Sequence, residues 1–309
     1  LAPTELLVDQ HYDYFKTLFN KTNIKISYLK SSMPTKIKHQ TLKNLKNGLI
    51  DIIIGTHSLL NPSVLFKQLG LCIIDEQHKF GINQRSSFVD NRDSSSNSPH
   101  ILYMSATPIP RSLALVLYQG LDYTTIKDMP RGRKNIITER VCPNSRDKMY
   151  FKINQRLDIG EQVFWVCPSI NISESSELES IYSTHDIISK VFIGSKISVL
   201  HGQLDDKTQA NTIKKFRDGK IDILVCTTVI EVGVDIPNAT CIVVEDSNRF
   251  GLSQLHQIRG RVGRSSSQGY CYLAHSNNLN EDADRRLNSL VSHYDGFKLA
   301  EEDLLIRGS

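Results

Sequence analysis

Leu71-Cys72-Ile73-Ile74-Asp75-Glu76-Gln77-His78 places four apolar, strand-forming residues directly before four polar ones. An apolar run this short, without polar alternation, reads as a strand buried on both faces of a parallel sheet. Similar runs occur at 51–54, 100–104, 163–166, 196–200, 221–226 and 240–244. Longer amphipathic stretches at 35–47, 112–117, 147–159 and 207–217 separate several of them, and Gly48, Gly160 and Gly219 stand at helix-stop positions. Repeated strand, helix, strand units define an α/β chain of doubly wound parallel sheets. In such sheets ligands bind just beyond the carboxyl ends of the strands, which is where Asp75 and Glu76 fall.

The alternation breaks near Met129-Pro130-Arg131-Gly132-Arg133-Lys134 and restarts after it. The expected organisation is a first domain over 1–125, a linker over 126–140, a second domain over 141–275 and a helical, then irregular, tail over 276–309. A chain of 309 residues fits two domains of about 150 residues each. Its 37 Lys and Arg against 33 Asp and Glu leave a net charge of +4, too mild to name a partner. The six cysteines are widely spaced with no C-x-x-C pair, so they read as buried small hydrophobes rather than zinc ligands or a redox pair. No apolar stretch approaches the roughly 20 residues of a membrane-spanning helix. The expectation is therefore a chain in a reducing compartment, with no membrane partner.

Two adjacent carboxylates at a strand end repel one another unless a cation offsets the repulsion. Mg²⁺ held through one carboxylate and nucleotide phosphates does this. Asp75 would serve the Mg²⁺ and Glu76 would orient or deprotonate the attacking water. An exposed acidic turn explains the pair equally well taken alone. Beyond the next strand comes Met104-Ser105-Ala106-Thr107-Pro108, small hydroxyl residues for which a helix cap is the simpler reading of each. The densest cluster is Gln254-Leu255-His256-Gln257-Ile258-Arg259-Gly260-Arg261-Val262-Gly263-Arg264. Arg forks between glycines, which let backbone approach closely, suit phosphate recognition. Thr227 to Asp235 also follows a strand run, with hydroxyls for a nucleic-acid backbone and Asp235 for a ribose, although helix capping accounts for one Thr.

Taken in order, these segments resemble the motifs of superfamily 2 helicases. Asp75-Glu76-Gln77-His78, Ser105-Ala106-Thr107, Thr228 to Asp235 and Gln257 to Arg264 resemble motifs II, III, V and VI, while Ala2-Pro3-Thr4-Glu5 and Gly55-Thr56-His57 resemble Ia and Ib. The finer resemblance, across essentially the whole chain, is to the RecG family of bacterial helicases that act on branched DNA. It rests on DEQHKFGINQR at 75–85, MSATPIPRSL at 104–113, QLHQIRGRVGR at 254–264 and DGFKLAEEDLLIRG at 295–308. The transcription-repair coupling factors share the Thr-Pro-Ile-Pro-Arg element, but DEQH followed by Gln-Arg fits the RecG family better.

The resemblance implies two RecA-like domains, the first incomplete, and a tail that begins a translocation element. It implies ATP and Mg²⁺ as cofactors, branched double-stranded DNA as partner, a monomer, and the bacterial cytoplasm as location. Carried over by position, Asp75 and Glu76 are the Mg²⁺ and water residues, with Gln257, Arg261 and Arg264 on the nucleotide phosphates and Gly233 and Asp235 on the nucleotide. Thr4, Gly55, Thr56, His57 and Thr228 contact the DNA backbone, which positions the protein without reading sequence. His78, Ser105 and Thr107 couple nucleotide to DNA.

The 309 residues contain no G-x-x-x-x-G-K-[ST], the loop whose N–H groups and Lys hold phosphates; the Gly219-Lys220 step is followed by Ile221. In the family that loop and a DNA-splitting wedge precede the position of Ala2, and the tail continues past that of Gly308. The expectation is a piece of a longer protein that needs the missing N-terminal segment for activity and does not hydrolyse ATP alone. In that piece the P-loop strand is lost from within the first sheet. The alternative is a non-catalytic nucleic-acid-binding remnant of a split or decaying helicase gene. An RNA-directed helicase fits the motif II and VI residues less well.

Overall fold

A computed structural model of the chain describes residues 1–77, 99–106, 122–126, 128, 132–168, 174–227, 236–264 and 266–308. It divides into two units, Leu1–Ala106 and Thr107–Ser309.

In the first unit, helix α1 (Glu5–Leu18) is followed by β1 (Ile26–Leu29), α2 (Thr35–Lys46), β2 (Ile52–Gly55), β3 (Leu71–Ile74) and β4 (His100–Tyr103). The strands form two separate parallel pairs, β1 with β2 and β3 with β4. Leu1 and Ala2 lie between the pairs. The Leu1 ammonium donates to the Ile73 carbonyl at 2.6 Å, the Asp75 N–H donates to Leu1 O at 3.1 Å, and the Ala2 N–H donates to Gly55 O at 2.9 Å. Ala2, Val8, Leu29 and Ile54 are buried in this unit. Strands β3 and β4 depart from the expectation of burial on both faces: Leu71 is 55% and Leu102 48% exposed, while Cys72 and Ile74 point inward. Alternate residues of β3 and β4 are thus wet along one face.

The second unit runs β5 (Ile137–Val141), α3 (Arg146–Asp158), β6 (Gln162–Val166), α4 (Glu174–Val191), β7 (Ile197–Leu200), α5 (Asp206–Arg217), β8 (Ile223–Cys226), β9 (Ala239–Val244), α6 (Leu252–Arg259), β10 (Tyr270–Ala274), α7 (Glu281–Ser292) and α8 (Gly296–Arg307). All six strands are parallel, in the order β5-β10-β9-β6-β8-β7. The central strands β6, β8 and β9 are buried along their whole length. Val163, Trp165, Val225 and Val243 pack with Met149 and Ile153 of α3 and Ile181 and Ile188 of α4. Phe164, pointing the other way, meets Phe216 of α5 edge-on at 5.0 Å. Helices on both faces of a parallel sheet make this a RecA-like, doubly wound architecture.

Helices α2, α3 and α5 and the strand runs fall within one or two residues of their sequence positions. Gly48, Gly160 and Gly219 each end a helix in the left-handed region, at φ of +69°, +81° and +70°. The helix expected at 112–117 lies outside the described residues. Two expectations are corrected. Ile137–Val141 is not linker: it pairs with β10 as an edge strand of the sheet, so the linker reading fails for 137–140. The tail is not irregular beyond its first helix but forms two helices, α7 and α8. All six cysteines are free, with Cys142 half-buried and the others buried. Burial pushes the Cys167 and Cys271 thiols up to about 12.

Candidate nucleotide and nucleic-acid site

Strand β3 delivers Asp75 and Glu76 at its carboxyl end, and β4 delivers Ser105 and Ala106 at the same edge. Backbone bonds fix this juxtaposition: the Met104 N–H donates to Ile74 O at 2.8 Å and the Gln77 N–H donates to Met104 O at 3.0 Å. Asp75 Oδ1 accepts from the Glu76 N–H at 2.9 Å, and Oδ2 stands 3.6 Å from His11 Nε2 of α1. The His11 hydrogen bond, followed by that from Glu76, holds the Asp75 carboxyl below the usual carboxylate range despite partial burial. With 27% of its side chain exposed, Asp75 is an ionised group that solvent or a ligand can reach.

Glu76 carries φ of +49°, in the left-handed region that residues with a Cβ rarely occupy. Its Oε2 accepts from the Ala106 N–H at 3.4 Å. This bond links the acidic pair to the Ser105-Ala106 loop, and Ser105 is itself exposed. Among the described residues no three metal-ligating side chains cluster. A lone carboxylate of this kind fits a Mg²⁺ held mainly by phosphates and water.

Elsewhere on this unit, Thr4 is the N-cap of α1, its Oγ1 accepting from the Leu7 N–H at 3.4 Å. The hydroxyl proton remains for another acceptor. Gly55 is required by space, since a Cβ there would sit 2.6 Å from Leu29 O and 2.7 Å from Leu59 Cγ. Thr56 is only 2% exposed and turns its hydroxyl toward Ser58 Oγ at 3.3 Å, whereas His57 is exposed. Of the Gly55-Thr56-His57 element, His57 alone presents its side chain to solvent.

In the second unit, α6 buries Leu252, Leu255 and Ile258, which orients the segment after it. Gln257 is half-buried, Arg261 is 6% exposed, and Arg264 is exposed with its Nε donating to Gly260 O at 3.3 Å. Gly263 has φ of +67°, and a Cβ there would stand 3.0 Å from Ile136 Cγ1; its carbonyl accepts from Arg133 Nε at 3.0 Å. This glycine therefore serves backbone packing inside the unit.

Arg259 departs from the phosphate reading of the arginine cluster. It is 3% exposed and donates to Leu290 O at 2.5 Å, His293 O at 3.0 Å and His256 Nδ1 at 3.1 Å, with Tyr294 5.8 Å beneath it. It ties α6 to the end of α7. Burial, then the adjacent Arg259 charge, lowers His256 to about 4, leaving a neutral ring that can accept this bond. Neither His11 beside Asp75 nor the Arg259 anchorage was legible in sequence, because both depend on partners more than 30 residues away. His78, Thr107, Thr228, Gly233 and Asp235 lie outside the described residues.

The model of the DEAD/DEAH box helicases matches residues 1–116, and that of the helicase conserved C-terminal domain matches 148–266. With the two RecA-like units these mark the chain as a fragment of a superfamily 2 helicase. The chain belongs to the RecG-type members of that superfamily. It is 41% identical to the ATP-dependent DNA helicase RecG of Treponema pallidum (strain Nichols), with all of this chain matched to 45% of the relative. It is 38% identical to that of Bacillus subtilis (strain 168), at the same coverage. A solved structure of RecG bound to a three-way DNA junction is 40% identical, with a TM-score of 0.79 over 98% of this chain and 39% of that one. The chain thus spans less than half the length of these relatives.

Proposed function

We propose that these 309 residues are the motor region of an ATP-dependent double-stranded DNA translocase of RecG type. It acts on branched DNA in the bacterial cytoplasm as a monomer, in fork reversal and junction branch migration during recombination and repair. The observation that carries this reading is the Asp75-Glu76 pair at the end of β3, hydrogen-bonded through Glu76 to the Ser105-Ala106 loop. Identity of about 40% to RecG along the whole chain supports it.

Bound Mg²⁺ supplies charge neutralisation on the nucleotide phosphates. Asp75, already ionised, takes part in holding that ion. Glu76 orients the attacking water and accepts its proton, and its bond to Ala106 reports the state of the site to Ser105, which with Thr107 and His78 couples nucleotide to DNA. Gln257, Arg261 and Arg264 face the phosphates, and Gly233 with Asp235 the rest of the nucleotide. Thr4, His57 and Thr228 hold the DNA backbone, and the buried Gly55 and Thr56 set the turn that presents His57. Phosphoryl transfer depends on positioning and charge, and a P-loop provides much of both. The 309 residues lack that sequence, so hydrolysis requires the P-loop segment to be supplied.

ATP hydrolysis measured with and without forked DNA, on the 309-residue chain alone and joined to a P-loop segment of a RecG relative, tests both statements. The joined protein should hydrolyse ATP with DNA stimulation, and Glu76→Gln should reduce the rate at least 100-fold. DNA-stimulated hydrolysis by the 309 residues alone would overturn the need for the P-loop. No hydrolysis by the folded, joined protein would favour the alternative, a non-catalytic nucleic-acid-binding remnant.

A further inference from the structure

Residues 19–50 contain seven lysines and one histidine but no arginine and no acidic residue. Helix α2 lies within this stretch. At 100° per residue, Lys36, His39, Lys43 and Lys46 fall within an arc of about 80° on one side of it. All four are exposed, while Thr41 and Leu45 point inward. No ion pair offsets Lys36, Lys43 or Lys46 among the described residues. The nearby acids are engaged elsewhere: Asp9 pairs with Lys30 at 2.7 Å, Asp51 accepts from the Lys25 N–H at 2.7 Å, and Glu5 accepts from the Ser32 N–H at 3.0 Å.

The last of these bonds fixes where the helix starts. Glu5 follows Thr4, so the loop leading into α2 is held beside Thr4. Ser58, two residues beyond Thr56, donates to Leu29 O at the end of β1 at 3.1 Å. The α2 N-terminus therefore begins at the edge that carries the Thr4 and Gly55-Thr56-His57 elements. We infer that the exposed lysine face of α2 is a further docking surface for the sugar-phosphate backbone of duplex DNA, continuing the contacts made at that edge. This deepens the proposed function and rests on it. Ten steps of 1.5 Å from Lys36 to Lys46 give a track of about 15 Å, the length of roughly four base pairs. Lysines without arginine fit such a track, since flexible point charges follow phosphate without fixing a geometry.

The test is the salt dependence of binding of the 309-residue chain to a forked DNA duplex. Each phosphate neutralised contributes about 0.9 to the slope of log affinity against log salt. The triple variant Lys36→Gln, Lys43→Gln, Lys46→Gln should lower that slope by about 3 while keeping the wild-type circular dichroism. The control Lys207→Gln, Lys214→Gln, Lys215→Gln on exposed α5 removes the same charge and should leave the slope within about 0.5 of wild type. A steep wild-type slope that the α2 variant leaves unchanged overturns this surface alone, including when an acidic protein is its true partner. Equal drops in variant and control reduce the effect to net charge and also overturn it. A wild-type slope near zero removes the DNA-motor reading itself and this surface with it.

Discussion

Glu76 combines a carboxylate, a left-handed backbone and a hydrogen bond to Ala106. A residue with a Cβ in that conformation costs about 1–2 kcal/mol relative to glycine. Glu76→Gly should therefore stabilise the first unit by up to about 1 kcal/mol in chemical denaturation while removing the carboxylate proposed to orient water. A fall in stability would show that the conformation is not strained. His256 gives a pH-dependent counterpart. Its folded-state pKa of about 4 lies below the ordinary 6.5, so the unfolded chain binds the additional proton between these values. Stability is then fully present above pH 6.5 and is lost as pH falls towards 4, by at most about 3 kcal/mol. Asp295 opposes this shift and Arg259 reinforces it. Equilibrium unfolding at stepped pH should show the loss in wild type and a flatter profile in His256→Gln. At this scale the position of the Asp75-Glu76 pair at a strand end was legible because the apolar run before it is local. The inward turn of Arg259 was not, because the glycine spacing around it suits phosphate binding and backbone packing alike.

Between elements, charged side chains fasten helices to sheet ends. Arg146 at the start of α3 donates to both carboxylate oxygens of Glu245, at 2.9 and 2.5 Å, and Trp165 Nε1 donates to the same group at 3.1 Å. Glu245 is 13% exposed, so removing its cation leaves a largely buried anion. Arg146→Met should cost about 3 kcal/mol, measured by denaturant unfolding, and Arg146→Met with Glu245→Gln should recover much of it. A double variant no better than the single one would remove the buried-charge explanation. Strands β6, β8 and β9 of the second unit were legible because burial on both faces leaves uninterrupted apolar runs, as in Ile223–Cys226 and Ala239–Val244, whereas β10, Tyr-Cys-Tyr-Leu-Ala, was missed although it is nearly as buried. Strand β1 was missed because Ile26-Ser27-Tyr28-Leu29 is short and only its last residue is fully buried. The edge strand β5, Ile-Thr-Glu-Arg-Val, carries polar residues that mask it in the same way.

For the whole molecule, the two units rest on unequal frameworks. One is a six-stranded sheet; among the described residues the other has two strand pairs, bridged only by Leu1 and Ala2, with Leu71 and Leu102 about half exposed. Small sheets close few backbone bonds and bury little apolar surface. Scanning calorimetry of the 309-residue chain should show two transitions, the first abolishing protection of amides in 1–106 and the second those of the larger unit. A single cooperative transition would contradict this ordering. The division into two α/β units was legible from the restart of alternation, whereas the separate pairing of β1–β2 and β3–β4 depends on backbone bonds no residue pattern encodes. Arg259 has a last consequence, for how the family's sequences can drift. Its acceptors in α7 and the turn after it are the main-chain oxygens of Leu290 and His293. A carbonyl persists whatever side chain its residue carries, so the burden of attachment falls on one side of the joint. Positions 290 and 293 can vary within the limits of packing, while position 259 must remain a long, forked cation.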